Sequence, residues 1–316
     1  MGEAQKGILA MAGACAIWGS MPLIYKPLAH IPSEEVLAHR VIWSLVFYAG
    51  IMIVRGRFDR VRDTVRGARN AGMVAIATVM ISLNWFLIIF ATAIGRNTEG
   101  SLGYYVYPLL AVLLGRVLFG ERMSLAQAAA VAMAGLAVAL LTFGLGKLPW
   151  ISVVLAVSFA CYGVIKKQMN ADAVASVTAE LAMFMPVVVL IFAYIYTSGR
   201  ATFGQDGFDT VYMVLSGPIT ALPVILFSYA ARRVRMSTIG LMQYSNPTLQ
   251  FLTAVVLFGE TFTPWHAAAF ILIWTALAIY SVSFFRQENA SRRVSSASSG
   301  VAATVRKSSS DGSANP

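Results

Sequence analysis

The sequence predicts an all-α polytopic membrane protein of ten transmembrane helices arranged as two inverted five-helix repeats. An apolar excess, ten apolar windows of membrane-crossing length and an internal sequence repeat carry this prediction. Of 316 residues, 58% are hydrophobic and 12% charged, against roughly 45–50% and about 25% in soluble domains. At a mean hydropathy of +0.71, a water-soluble globule lacks the interior to hide these side chains. A transmembrane β-barrel would show ~10-residue stretches of alternating polarity, whereas runs such as 153–159 and 187–194 are apolar on all sides.

The windows fall at 7–25, 36–54, 71–93, 100–119, 124–143, 148–166, 176–197, 208–230, 237–258 and 264–285, each close to the ~20 residues that cross about 30 Å of hydrocarbon as a helix. Span one follows Lys6 and is too long for the apolar region of a signal peptide, so it reads as an uncleaved first helix. At the start of span two, Ser33 is expected to cap the helix while Glu34 and Glu35 complement its dipole. Glu35 and His39, spaced i, i+4, are within reach of each other. Pro108, Pro186, Pro218, Pro223 and Pro247 interrupt the later spans, each removing a backbone hydrogen bond. Cys15 and Cys161 lie within spans and read as small apolar fillers. Residues 286–316 hold nine serines and form an expected disordered tail, with too little apolar surface to offset ordering.

Of 24 Lys and Arg residues, 18 fall on the side that holds both termini and four on the other, with Arg40 and Arg116 inside spans. Short loops rich in Lys and Arg stay cytoplasmic, so both termini are expected inside. Basic residues scattered over short loops, not gathered on a folded face, argue against a nucleic-acid partner.

The repeat sets Tyr107-Pro108 through Leu118-Phe119-Gly120-Glu121 against Asn246-Pro247 through Leu257-Phe258-Gly259-Glu260, at an offset of 139. Trp18-Gly19 pairs with Tyr162-Gly163 at an offset of 144. The repeats occupy 1–143 and 148–285. An odd number of spans per repeat makes the second copy enter from the opposite face, the arrangement of many secondary transporters.

Trp18-Gly19 with Pro22 and Lys26, and the Pro-to-Gly-Glu stretch of each half, resemble the EamA family of the drug/metabolite transporter superfamily. Leu37-Ala38-His39-Arg40, Leu83-Asn84-Trp85, Ser101 to Tyr105, Leu148-Pro149-Trp150 and Gln243-Tyr244 through Phe251 resemble its RarD-type branch. The resemblance covers about residues 6–285. It implies two EamA repeats in the bacterial inner membrane and a permease linked by name to chloramphenicol sensitivity. Tyr107 stands where the family pattern has Asn, as at Asn246.

Polar side chains within spans are costly and mark candidate sites. Asn84 beside Trp85 lies mid-span, and Gln243, Asn246 and Gln250 are spaced to share one helix face. Amides of this kind either orient a polar solute or bridge helices. Tyr104, Tyr107 and Trp18 supply apolar faces. Arg40, about two turns inside span two, is expected either to be paired structurally or to bias an outer vestibule toward anions. Pro108 and Pro247, at equivalent repeat positions, are expected gating hinges, and Glu180 and His39 are candidates for proton coupling. No metal-ligand spacing, ATP-hydrolysis motif or cofactor signature occurs, so cofactors are not expected. The expected partners are a small-molecule solute and the lipid bilayer, with a homodimer as a further candidate. The reading is a transporter of small amphipathic metabolites or drugs working by alternating access. A channel, or an intramembrane enzyme using His39, is the alternative.

Overall fold

The computed structural model describes residues 2–120, 124–146, 148–169, 171–231, 233–234 and 242–283. Glu121, the beginning of span nine and the tail lie outside them. The described elements are helices α1 (Glu3–Gly19), α2 (Met21–Tyr25), α3 (Ser33–Val54), α4 (Asp59–Thr64), α5 (Ala68–Ala93), α6 (Asn97–Phe119), α7 (Leu125–Leu145), α8 (Trp150–Gln168), α9 (Ala173–Thr197), α10 (Gly207–Ala231), α11 (Ser245–Leu252) and α12 (Pro264–Ser283). A π-helical turn, Thr253–Leu257, continues α11. Among the described residues there is no strand, and eight helices (α3, α5 to α10 and α12) are long and apolar enough to cross a membrane.

The outward faces are apolar: Phe143 is 85% exposed, Leu190 69% and Ile53 66%. Polar groups such as Ser44, Asn84, Ser158, Glu180 and Thr220 are buried. That inversion suits a bundle whose solvent is lipid.

Span one differs from the single helix expected. It breaks at Ser20 into α1 and α2, because Pro22 has no N–H to donate to the carbonyl of Trp18. The side-chain Nε2 of Gln250 donates to that carbonyl at 3.4 Å, a repair across the bundle. Gly19 lets α1 lie against α11: a methyl group there would sit 2.6 Å from Leu249 Cβ. Gly217 does the same for α10 on α3, where a methyl would meet the Trp43 backbone at 2.4 Å. Along that contact Ser44 donates to Gly217 O at 3.2 Å, and Tyr48 to Ala221 O at 3.2 Å.

The start of α3 also departs from expectation. Pro32 occupies the cap position and Ser33 is the first helical residue, with no side-chain cap bond. Glu35 turns instead to the α9–α10 loop, where its Oε1 accepts the backbone N–H of Thr202 at 2.9 Å and of Phe203 at 3.1 Å. The short α4 was not foreseen; it buries Val61 and Thr64 while its arginines face solvent.

Helix pairing follows a regular plan. α1 packs on α10 as α8 packs on α5, and α11 packs on α1 as α8 packs on α6, while α3 meets α9 and α6 meets α11 directly. Exchanging spans one to five with six to ten maps this set of pairs onto itself. Gly120 and Gly259, which follow the spans of the repeat-paired prolines Pro108 and Pro247, both adopt left-handed backbone at φ 64° and 62°, a conformation glycine adopts without steric cost.

At the face where α3 and α6 begin, Glu260 binds the first turn of α6. Its Oε1 accepts from Asn97 N at 2.7 Å and Asn97 Nδ2 at 2.9 Å, and its Oε2 from Thr98 N and Thr98 Oγ1, both at 2.8 Å. A carboxylate on a helix N-terminus satisfies orphan donors and the dipole together. Glu260→Ala is expected to lower stability by roughly 1–3 kcal/mol, read as a fall in the thermal unfolding midpoint in detergent. Glu260→Gln, which keeps acceptor oxygen without charge, is expected to fall between the two.

Candidate functional site

A cavity of about 720 Å³ lies between the two sets of helices. α1, α3, α5 and α6 contribute Trp18, Arg40, Asn84, Trp85, Tyr104, Tyr107 and Pro108; Gln243 and α11 contribute Asn246, Pro247 and Gln250. The residues singled out from the sequence as solute contacts or hinges therefore share one cavity wall. His39 and Glu180 are not among its lining residues.

The cavity is closed toward one face. Arg40 and Tyr104 each lie seven residues inside the start of their helices, and Gln250 seven residues before the end of the π-helical turn. At about 1.5 Å per residue, the lining on these three elements stops roughly 10 Å short of that face. Tyr25, the last residue of α2, and Ile88, five residues before the end of α5, line the cavity nearer to it. At the other end the walls include Lys166 and Lys167 in the last turn of α8, Ala173 at the start of α9 and Ser281 near the end of α12. The closed face is cross-tied. Besides the bonds to Glu260 and Glu35, His30 Nε2 pairs with Asp209 Oδ2 at 2.8 Å, and Lys26 Nζ lies 5.3 Å from the Phe258 ring centre. Arg40 thus stands at the blind end of the cavity, about two turns inside the face where α3 begins.

The amides divide into two kinds. Asn84 is 1% exposed and its polar atoms are engaged: Nδ2 donates to Leu155 O at 3.1 Å and Ser158 Oγ at 3.3 Å, and Oδ1 accepts from Tyr104 O–H at 2.8 Å. In this conformation it bridges α5, α6 and α8. Gln250 and Asn246 are linked to each other, Nε2 to Oδ1 at 2.9 Å. The Oε1 of Gln250 is buried without a partner, an acceptor facing no donor of the protein.

Arg40 is 5% exposed. Its guanidinium carbon lies 4.4 Å from the centre of the Trp85 ring and 5.5 Å from that of Tyr25. Its Nε and Nη1 have no hydrogen-bond partner, and among the described residues no carboxylate pairs with it. Removing the partner of a buried charge costs several kcal/mol, and cation–π contacts return about 0.5–2 kcal/mol each. The rings orient the cation without neutralising it.

Glu180 is engaged on several sides. It is 2% exposed and pairs with Lys166 Nζ at 2.6 Å, with Ser176 Oγ donating at 2.9 Å and Tyr162 O–H at 3.1 Å. Lys166 also donates to Ser176. Since Lys166 and Tyr162 line the cavity, a buried ion pair stands directly behind its wall. His39 stacks on Phe203 with ring centres 4.1 Å apart and meets Phe192 edge-on at 5.0 Å. It diverges from Glu35 although the two are one turn apart.

Sequence reasoning missed Tyr25, Tyr48, Phe159 and Tyr162, all lining residues. Phe159 joins Tyr107 at 4.7 Å, Tyr104 at 5.8 Å and Tyr162 at 6.0 Å. Tyr162 was within reach, being the repeat partner of Trp18.

Comparison with known proteins identifies the group to which this arrangement belongs. Residues 5–143 match the model of the EamA-like transporter family. Protein RarD of Streptomyces exfoliatus is 37% identical over 305 residues, 96% of this chain and 96% of that protein. The chain is a RarD-type member of the EamA-like transporter family. An uncharacterized transporter of Vibrio cholerae is 33% identical over 92% of this chain and 97% of its own. One solved crystal structure superposes with a TM-score of 0.59 at 19% identity, covering 90% of this chain and 99% of that one, a likeness of fold. This RarD-type chain is accordingly a multi-pass membrane transporter of the bacterial inner membrane, with lipid around it and a small molecule as its cargo.

Asn84→Ala is expected to strand the hydroxyl of Tyr104, while Ser158 keeps its bond to Leu155 O, and to cost roughly 1–3 kcal/mol in thermal unfolding. Leu190→Ala, on the exposed apolar face, is expected to change stability by less than about 0.5 kcal/mol.

Proposed function

We propose that this transporter is a carrier of small amphipathic solutes that works by alternating access between two inverted five-helix repeats. The observation that carries the proposal is the blind-ended cavity, which reaches the Lys166–Lys167 face and is cross-tied at the Glu260 face. A channel needs a continuous path, and rings of charge or carbonyls to select ions; a pocket open to one side serves a carrier caught in one of its two states. The self-mapping pattern of helix pairs and the paired left-handed glycines support the repeat. The family match over 5–143 supports its first boundary.

With the excess of Lys and Arg on the open side, this state faces the cytoplasm and both termini lie inside. Trp18, Trp85, Tyr104 and Tyr107 enclose the apolar body of the solute. Gln243, Asn246 and Gln250 take its polar groups, and Asn84 joins them when Tyr104 rotates away. Pro108 and Pro247 are the hinges: Pro108 breaks the hydrogen-bond ladder inside α6, and Pro247 sits in the first turn of α11, with a π-helical turn further along the same span. Glu180, backed by Lys166 and Tyr162 at the cavity wall, is the coupling group if a proton is exchanged. Drugs of the chloramphenicol type enter as candidate cargo through the name of a Pseudomonas aeruginosa relative, chloramphenicol-sensitive protein RarD, at 29% identity.

Reconstituted protein is expected to move its solute at a saturable rate without ATP; flux linear in concentration would refute the carrier reading. Gln243→Ala, Asn246→Ala and Gln250→Ala are each expected to weaken apparent affinity roughly five- to 150-fold at unchanged membrane abundance. Normal transport by all three would overturn the assignment of the amides.

A further inference from the structure

We propose that the solute is a monoanion, with a carboxylate head group docked on Arg40 at the blind end of the cavity. This rests on the carrier reading and narrows it to a class of cargo. Arg40 is almost wholly buried, and its Nε and Nη1 find no acceptor in the protein. A planar fork of N–H donors fits a carboxylate in two parallel hydrogen bonds. Trp85 and Tyr25 hold the guanidinium by their rings, which fixes its position while adding no countercharge.

The charge balance at the blind end sets the valence. Lys166 is matched by Glu180 at 2.6 Å, and Lys167 lines the cavity at its other end, in the last turn of α8. At the blind end Arg40 is therefore the lining cation that no described carboxylate compensates. One negative charge neutralises it, and a second would be buried without a partner. The unsatisfied Oε1 of Gln250 on the same wall calls for a donor, so the solute carries an N–H or O–H besides its carboxylate. The aromatic rings around Phe159 accept a flat or branched apolar body. Neutral amphipaths fill the same volume but leave Arg40 bare.

The test uses the whole protein in lipid nanodiscs, with two probes of one shape, 4-phenylbutyrate and its neutral amide. Quenching of tryptophan fluorescence reports binding, since Trp85 lies against Arg40. The carboxylate is expected to bind saturably and roughly ten- to 150-fold more tightly than the amide. It is also expected to raise the thermal midpoint of the wild type. Arg40→Gln removes an unneutralised buried charge, so it is expected to fold at least as well as the wild type without ligand. It is expected to lose both the preference and the anion-dependent shift, and Arg40→Lys to retain part of each. Equal binding of acid and amide by the wild type, binding of neither probe, or an unchanged preference in Arg40→Gln would overturn the proposal. Flux of the bound probe into proteoliposomes is read separately: an anion that binds at Arg40 but never crosses would count against the carrier reading, not the anchor.

Discussion

A polar group inside a membrane has no water to fall back on, and the rest of this structure depends on that constraint. Helices satisfy most backbone groups by themselves. Prolines undo that economy locally, so the carbonyls they release, and the polar side chains near them, must be answered from neighbouring helices. Gln250 answering the Trp18 carbonyl released by Pro22 is the clearest instance. Asn84 bound to α6 and α8, and the Glu180–Lys166 pair behind the wall, follow the same rule. The rule is broken at several buried groups, and of these Tyr25 O–H, Arg40 and Gln250 Oε1 belong to residues that line the cavity, where a solute can complete them.

The two ends of the bundle differ for the same reason. At the closed face, carboxylates take backbone N–H groups: Glu260 from the start of α6, Glu35 from the α9–α10 loop. Such bonds hold strongly in one geometry and are lost together when the helices rotate apart, which suits a two-state switch. In the sequence Glu260 pairs with Glu121, which lies outside the described residues.

Much of this was legible in the sequence, because hydropathy reports the solvent directly. The bounds expected for spans two to four, 36–54, 71–93 and 100–119, fall within three residues of Ser33–Val54, Ala68–Ala93 and Asn97–Phe119. Amides stand out in apolar helices by polarity, and those singled out line one cavity together with two of the five prolines, Pro108 and Pro247. Tyr25, Tyr48 and Phe159 did not stand out, since an aromatic residue in an apolar helix gives no sign of which face it takes. The break at Ser20 was hidden because a proline can bend a helix without ending it. Glu180 stood out in the sequence as a candidate for proton coupling, and only the fold brings Lys166, fourteen residues away, onto it. Ser33 lost the cap to Pro32 because Glu35 and the α9–α10 loop set where α3 starts.

The most direct test of alternating access is thiol labelling at Ile88, a residue lining the closed end of the cavity. Ile88→Cys, with Cys15 and Cys161 replaced, would be probed in sealed vesicles of known orientation by a membrane-impermeant reagent. Without solute, labelling is expected from the cytoplasmic side alone; with transported solute, outer labelling should rise as inner labelling falls. Equal labelling from both sides regardless of solute, or labelling from the outer side alone, would contradict a carrier resting open to the cytoplasm.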